Sequence, residues 1–258
     1  MTVLVFHKIT SRPEVGISWH LPQQFETVVR RLQELGFTNG RLDELEDLPN
    51  RQKKILITFD DGYDGIYRYA LPILRRYGFT ALVFLISGFL GKKSYWDMNI
   101  LQRFRHLDWD EIAELKNAGF EFGSHTVIHP DLTFVSKKRL EWELLESKRV
   151  LEDKLGPINA ISYPFGRYNN EVKAAANQAG YRVAFAIHCR PEDRAFNRLA
   201  VGRIPVHFID SWPVLKAEVL HPASLLGRFG QARGRLINFL SRGTTLIRKG
   251  DYRCEPPC

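Results

Sequence analysis

A parallel α/β barrel is the fold this 258-residue chain predicts, and three observations predict it. Short apolar runs rich in β-branched residues alternate with segments whose apolar residues recur every three or four positions. Several of those helical segments close on a glycine, as helices often do. The unit repeats six or seven times, which favours a barrel over an open sheet, and the length suits one large core.

The strand runs are TVLVFH (2–7), KILITF (54–59), TALVFLIS (80–87), FEFGSH (120–125), AISYPF (160–165), YRVAFAIH (181–188) and VGRIPVH (201–207). Between them the spacing predicts helices over 22–35, 64–77, 110–118, 136–155 and 169–179, ended by Gly36, Gly78, Gly119, Gly156 and Gly180. Residues 90–109 break this rhythm and read as an insertion over one end of the barrel. Residues 1–222 are expected to form a single domain, followed by a tail over 223–258.

Three cysteines, two of them in the Pro-rich ending RCEPPC, are too few for a disulfide framework, so a reducing compartment is expected. The start, MTVLVFHKIT, lacks the pattern of a signal peptide, and no run reaches the roughly 18 apolar residues of a spanning helix. A cytoplasmic protein, peripheral at the inner membrane face, is the expectation.

The net charge of +8 is concentrated near the end. Arg228, Arg233, Arg235, Arg242, Arg248, Lys249 and Arg253 oppose Asp251 alone, interleaved with leucines, isoleucine and phenylalanine. That pattern suits an amphipathic segment on an anionic membrane surface; a solvated helix packed on the body is the plain alternative. Nucleic acid is set aside, because no zinc finger, aromatic-rich sheet or recognition helix accompanies the charge.

In a parallel barrel the reactive groups gather at the C-terminal ends of the strands. LITFDDGYDG (56–65) ends its strand in two adjacent carboxylates, Asp60 and Asp61, which repel unless a cation is near. At another strand end stands SHTVIHP, with His125 and His129. An H-x-x-x-H pair is a weak signal, but Pro130 disfavours helix at His129 and makes a loop leaving the strand the better reading. Two imidazoles and one carboxylate make a three-ligand divalent metal site with open positions. We take Asp61 as the ligand and Asp60 as the base that deprotonates the attacking water, a division the spacing alone does not fix. Taken alone, the DD pair reads equally as a turn or helix cap.

TFDDG with SHTVIHP resembles the first two motifs of the polysaccharide deacetylases, the NodB-homology group of carbohydrate esterase family four. The likeness is clearest over 54–188 and includes PILRRYGFTALVFL, WDEIAELKNAGFEFGSHT and AISYPFGRYNNEV. It implies a distorted (β/α)7-type barrel and hydrolysis of N-acetyl groups on a glycan or lipid-linked glycan. It further implies Asp60 as catalytic base, with Asp61, His125 and His129 holding Zn2+, or Co2+ or Ni2+. Tyr163, Pro164, Phe165 and Gly166 would line the substrate, with the Phe165 backbone N–H on the oxyanion.

Two departures stand out. Where many members carry an arginine in the third motif, this chain has Ser162, which leaves Arg203 or Arg167 to take over or the base to work alone. The family's late strand ending in histidine is found instead at the start, as LVFH, which resembles a circularly permuted branch. His7 is therefore the expected general acid, with His207 as its rival, and His20, His106, His188 and His221 are background. Tyr95, Trp96, Phe165 and Tyr168 are expected at the rim, where they could stack on sugar faces or simply pack. The alternatives are a deformylase or other amidohydrolase on a lipid-linked sugar or a non-sugar amide, a non-haem iron oxygenase, and a degenerate glycan-binding barrel.

Overall fold

The computed structural model describes residues 1–14, 16–45, 53–94, 104–187 and 196–240, the side chains of 239 and 240 excepted. Its strands are β1 (Thr2–Phe6), β2 (Lys8–Ile9), β3 (Trp19–His20), β4 (Thr38–Asn39), β5 (Lys54–Phe59), β6 (Ala81–Leu85), β7 (Glu121–Ser124), β8 (Ala160–Ser162), β9 (Val183–Ala186), β10 (Val201–Gly202) and β11 (Ile204–Pro205). The principal helices are α1 (Pro22–Glu34), α2 (Leu71–Arg76), α3 (Trp109–Asn117), α4 (Lys137–Leu155), α5 (Asn170–Gln178), α6 (Trp212–Leu220) and α7 (Leu225–Leu240).

One sheet runs in the order β10-β9-β8-β7-β6-β5-β1-β11, with β4 also paired to β5. The pairs β1–β5, β5–β6, β7–β8, β8–β9 and β9–β10 are parallel. Strands with a layer on both faces are apolar throughout, and β6 is buried at every residue. The two ends of this order, β10 and β11, are separated in the chain by Arg203 alone. A single residue spans about 3.5 Å, so the sheet comes nearly closed into a barrel. VGRIPVH, expected as one strand, is thus two short ones, because the chain changes neighbours at Arg203.

Contacts group the chain into two compact units, Met1–Leu85 with Phe89–Gly123 and Pro205–Trp212, and Ile86–Gly88 with Ser124–Ile204 and Pro213–Cys258. In the first, β1 and β5 align from Thr2 with Ile55 to Phe6 with Phe59. Phe25 of α1 packs edge-on to Phe6 at 5.1 Å and lies 5.6 Å from Phe59. In the second, Leu140, Leu144 and Leu151 of α4 and Val172 and Ala176 of α5 are buried.

The helices end at or beside the expected glycines, each in the left-handed region. The helix expected over 64–77 begins instead as a wide π turn, Ile66–Ala70, before α2. Pro72 explains this, since it has no N–H to donate and its ring would collide with the carbonyl four residues back.

Candidate active site

Asp60 and Asp61 follow directly on β5 and both are buried. The Asp60 N–H donates to the Phe6 carbonyl at 3.0 Å, so the parallel ladder carries one step past the strand and sets His7 and Asp60 at the same edge. Asp61 has φ 70°, a left-handed conformation that aspartate adopts more readily than most residues but still at a cost. Residues 104–108 hold that turn. The His106 Nδ1–H donates to the Asp61 carbonyl at 2.8 Å, the Leu107 N–H to the Gly62 carbonyl at 2.8 Å, and the Asp64 N–H to the Arg105 carbonyl at 2.9 Å. The His106 ring stacks on Tyr63 at 4.7 Å. Arg105 is itself fixed by Asp108 at 2.8 Å, by Asp64 and by Glu111, and Asp108 caps α3 by accepting from the Glu111 N–H. Loss of such a cap costs about 1 kcal/mol.

His125 follows β7, and the chain to His129 is a loop, as Pro130 required. Thr126 (φ 68°) and His129 (φ 60°) are again left-handed without being glycine. The loop is held from within by the His129 N–H donating to Thr126 Oγ1 at 3.0 Å and the Thr126 N–H to Ser124 Oγ at 3.1 Å. From outside it is held by a fully buried carboxylate on α4: Glu143 Oε2 accepts from the Val127 N–H at 2.7 Å and the Ile128 N–H at 3.2 Å, while Arg139 pairs with Oε1 at 2.8 Å. Burial pushes the Glu143 carboxyl up in pKa; Arg139 and the two amides pull it back.

The His125 Nδ1–H donates to the Ser162 carbonyl at 2.7 Å, which leaves Nε2 as the nitrogen for a metal. The Ser162 hydroxyl in turn accepts from Arg203 Nη2 at 2.8 Å, and Arg203 Nε donates to the Ala186 carbonyl at 3.3 Å. Of the two arginines considered for the vacant third-motif position, Arg203 is the one that reaches Ser162. Arg167 pairs with Asp131 at 2.7 Å.

Phe165 sits in a left-handed turn (φ 58°, ψ 12°), its ring 4.6 Å from that of His129. Gly166 follows with φ 63°, where a Cβ would come within 2.5 Å of the Ile187 nitrogen. Pro164 and Gly166 are buried. Tyr163 and Tyr168, expected at the substrate, have buried side chains. Tyr163 is fully buried with its hydroxyl donating to the Leu199 carbonyl at 3.0 Å, and Tyr168, also buried, stacks on it at 5.5 Å. A phenol that has found a buried acceptor belongs to the core. Trp96 and Tyr95 lie outside the described residues, as does the second half of the basic tail, 241–258.

His207 accompanies Asp210, whose carboxylate accepts from the His207 N–H at 2.9 Å and lies 3.5 Å from its Nδ1. His20 is buried close to both and its pKa falls to about 4, chiefly because burial disfavours the imidazolium.

Among the described residues one cluster has the make-up of a metal site: ligand atoms of Asp61, His125 and His129 lie within 4.8 Å of one another. All three are buried. Two imidazoles and a carboxylate, one imidazole oriented by a backbone carbonyl, suit a divalent cation. His106, set aside as background, contacts this site through the Asp61 backbone. Glu143 was not singled out either; its sign in the sequence is a charge on the apolar stripe formed by Leu140, Leu144 and Leu151.

The polysaccharide deacetylase family profile matches residues 47–184, more than half of the chain. The chain belongs to that family, whose members are metal-dependent carbohydrate N-deacetylases. A peptidoglycan-N-acetylglucosamine deacetylase of Bacillus cereus is 30% identical over 80% of this chain and 87% of its own length. A poly-β-1,6-N-acetyl-D-glucosamine N-deacetylase of Staphylococcus aureus is 24% identical over 62% of this chain and 59% of its own. Among solved structures, a Bacillus cereus polysaccharide deacetylase superposes with a TM-score of 0.71 at 25% identity, over 84% of this chain and 68% of that one. That likeness extends the (β/α)-barrel fold beyond the span of the family profile.

Proposed function

We propose that the chain removes N-acetyl groups from an N-acetylated sugar in a glycan or lipid-linked glycan, releasing acetate and leaving a free amine. The observation that carries this is the clustering of Asp61, His125 and His129 beside a second buried carboxylate, Asp60, at the strand ends. Asp61, His125 and His129 would hold the cation, for which zinc is the best fit, with cobalt or nickel as substitutes. When bound, a divalent ion polarises the amide carbonyl and lowers the pKa of water.

The remaining work falls to side chains and backbone. Asp60 takes the proton from water as it attacks the acetamide carbonyl. The Phe165 N–H, carried by a strained turn, donates to the oxygen on which charge develops. His7 donates a proton to the departing amine. Its position one residue past Phe6, whose carbonyl receives the Asp60 N–H, supports this choice. His207 is committed to Asp210 and supports it less. Arg203 places a buried cation on the Ser162 hydroxyl and, we infer, serves in place of the missing third-motif arginine.

As a partner beyond the glycan, an anionic membrane surface is our reading for the basic segment 223–258. The test of the catalytic reading is acetate release over a panel of N-acetylated sugars, oligomers and lipid-linked precursors, each repeated with chelator and after metal add-back. Acetate that appears with metal and vanishes with chelator is the expected result. Formate from formylated sugars with no acetate from any acetylated one would replace deacetylation by deformylation.

A further inference from the structure

Helix α7 is amphipathic in the reverse of the usual sense. Gly227, Gly230 and Gly234 are buried, while Leu225 (88%), Phe229 (58%), Leu236 (57%) and Leu226 (41%) are exposed. At about 100° per residue, the three glycines fall on the side roughly opposite Leu225, Phe229 and Leu236. The glycine face is in close contact with α6 and the turn after it. A Cβ on Gly227 would lie 2.6 Å from the His221 carbonyl oxygen, and one on Gly230 would lie 1.7 Å from the Glu218 carboxylate. Side chains are thus excluded from the inner face at Gly227 by backbone and at Gly230 by the Glu218 side chain, and the large apolar ones are turned outward.

The outward face has a definite charge. Arg228 and Arg235, both exposed, flank the apolar strip on one side, and Arg233 lies beyond it on the other. Residues 219–240 contain no aspartate or glutamate. An apolar strip whose only charged neighbours are arginines matches a surface that is greasy below and anionic above. We propose that the Leu225–Phe229–Leu236 face of α7 lies flat in the headgroup layer of an anionic phospholipid membrane, with Arg228 and Arg235 on lipid phosphates. This gives the proposed membrane partner its contact residues and is independent of the catalytic reading.

The test is co-sedimentation of the full chain with vesicles of phosphatidylcholine alone and of phosphatidylcholine with 30% phosphatidylglycerol, where the last figure is a condition of about the anionic content that attracts basic helices. Expected are binding to the anionic vesicles only, and a loss of about tenfold or more when Leu225, Phe229 and Leu236 are all changed to Ser, although every basic residue is kept. Arg228→Glu with Arg235→Glu should weaken binding comparably. Equal binding by the triple-Ser chain would assign the attraction to charge alone and overturn the proposal. So would no binding by the parent chain, or sedimentation velocity showing a dimer that the triple-Ser change dissolves. Circular dichroism and acetate release from a soluble N-acetylated oligosaccharide, measured on the same samples, separate failure of the surface from failure of the fold or of the catalytic reading.

Discussion

Two loops carry the candidate metal ligands, and they are held in different ways. The Asp60–Gly62 turn depends on a distant stretch, 104–108, that meets it mainly through backbone hydrogen bonds and the His106 imidazole. The His125–His129 loop is met by the buried Glu143 carboxylate from the helix that follows it, and also by the Ser87 and Gly88 N–H groups, which donate to the Thr126 and Val127 carbonyls. Both contain non-glycine residues at positive φ, Asp61 in the first and Thr126 and His129 in the second. Such conformations cost about 1–3 kcal/mol each and persist only where the surroundings fix them. The first loop rests on backbone bonds and one imidazole, while the second adds a buried carboxylate to its backbone bonds. A buried carboxylate, once lost, leaves its partners unpaired, so loss of Glu143 should be tolerated less well than loss of His106.

The largest effect should come from the ligands themselves. His129→Ala is expected to abolish both bound metal and acetate release, read by elemental analysis and by assay; retained stoichiometric metal would remove His129 from the site. Asp60→Asn should keep the metal while slowing turnover by about 10²–10⁴, and full activity would remove the base from the scheme.

The comparison between the loops is tested next. Glu143→Ala strands Arg139 and two amides in the interior, which should cost about 3–5 kcal/mol in urea unfolding and weaken metal affinity about 10–100-fold. His106→Ala should weaken metal affinity as well but destabilise less, because the Leu107 and Asp64 amide bonds remain. If His106→Ala proved the more damaging of the two, the contrast between imidazole and buried-carboxylate support would be wrong.

The smallest effect is a pH slope. His20 has a folded pKa of about 4 against its ordinary 6.5, so between those values the unfolded chain takes a proton that the folded chain refuses. Stability should fall as pH drops through that window, by up to about 3 kcal/mol, and be unaffected by His20 above it. Replacement by Gln should flatten that part of the curve, and an unchanged slope would show that other groups account for it.

Part of the site was legible in the chain because Asp60, Asp61 and His125 directly follow strands with clear apolar runs. KILITF is followed by Asp60 and Asp61, and FEFGS by His125. A strand end fixes where the next side chain begins, so adjacency in sequence became adjacency at the barrel mouth. Which way Tyr163 and Tyr168 turn was not legible, because an aromatic on a loop carries no sign of it; only the Leu199 carbonyl and the neighbouring ring decided that.

The sequence by itself determined the alternation of strands and helices, the glycine stops, the metal-ligand types and the basic character of the end, since each is a property of spacing or composition. Only the tertiary structure decided that His106 and Glu143 brace the ligand loops, that Arg203 reaches Ser162 and that α7 turns its glycines inward. The physical reason is range: periodicity and turn chemistry act over a few residues. The partners of a buried polar group are chosen by whichever distant segment the fold brings within about 3 Å.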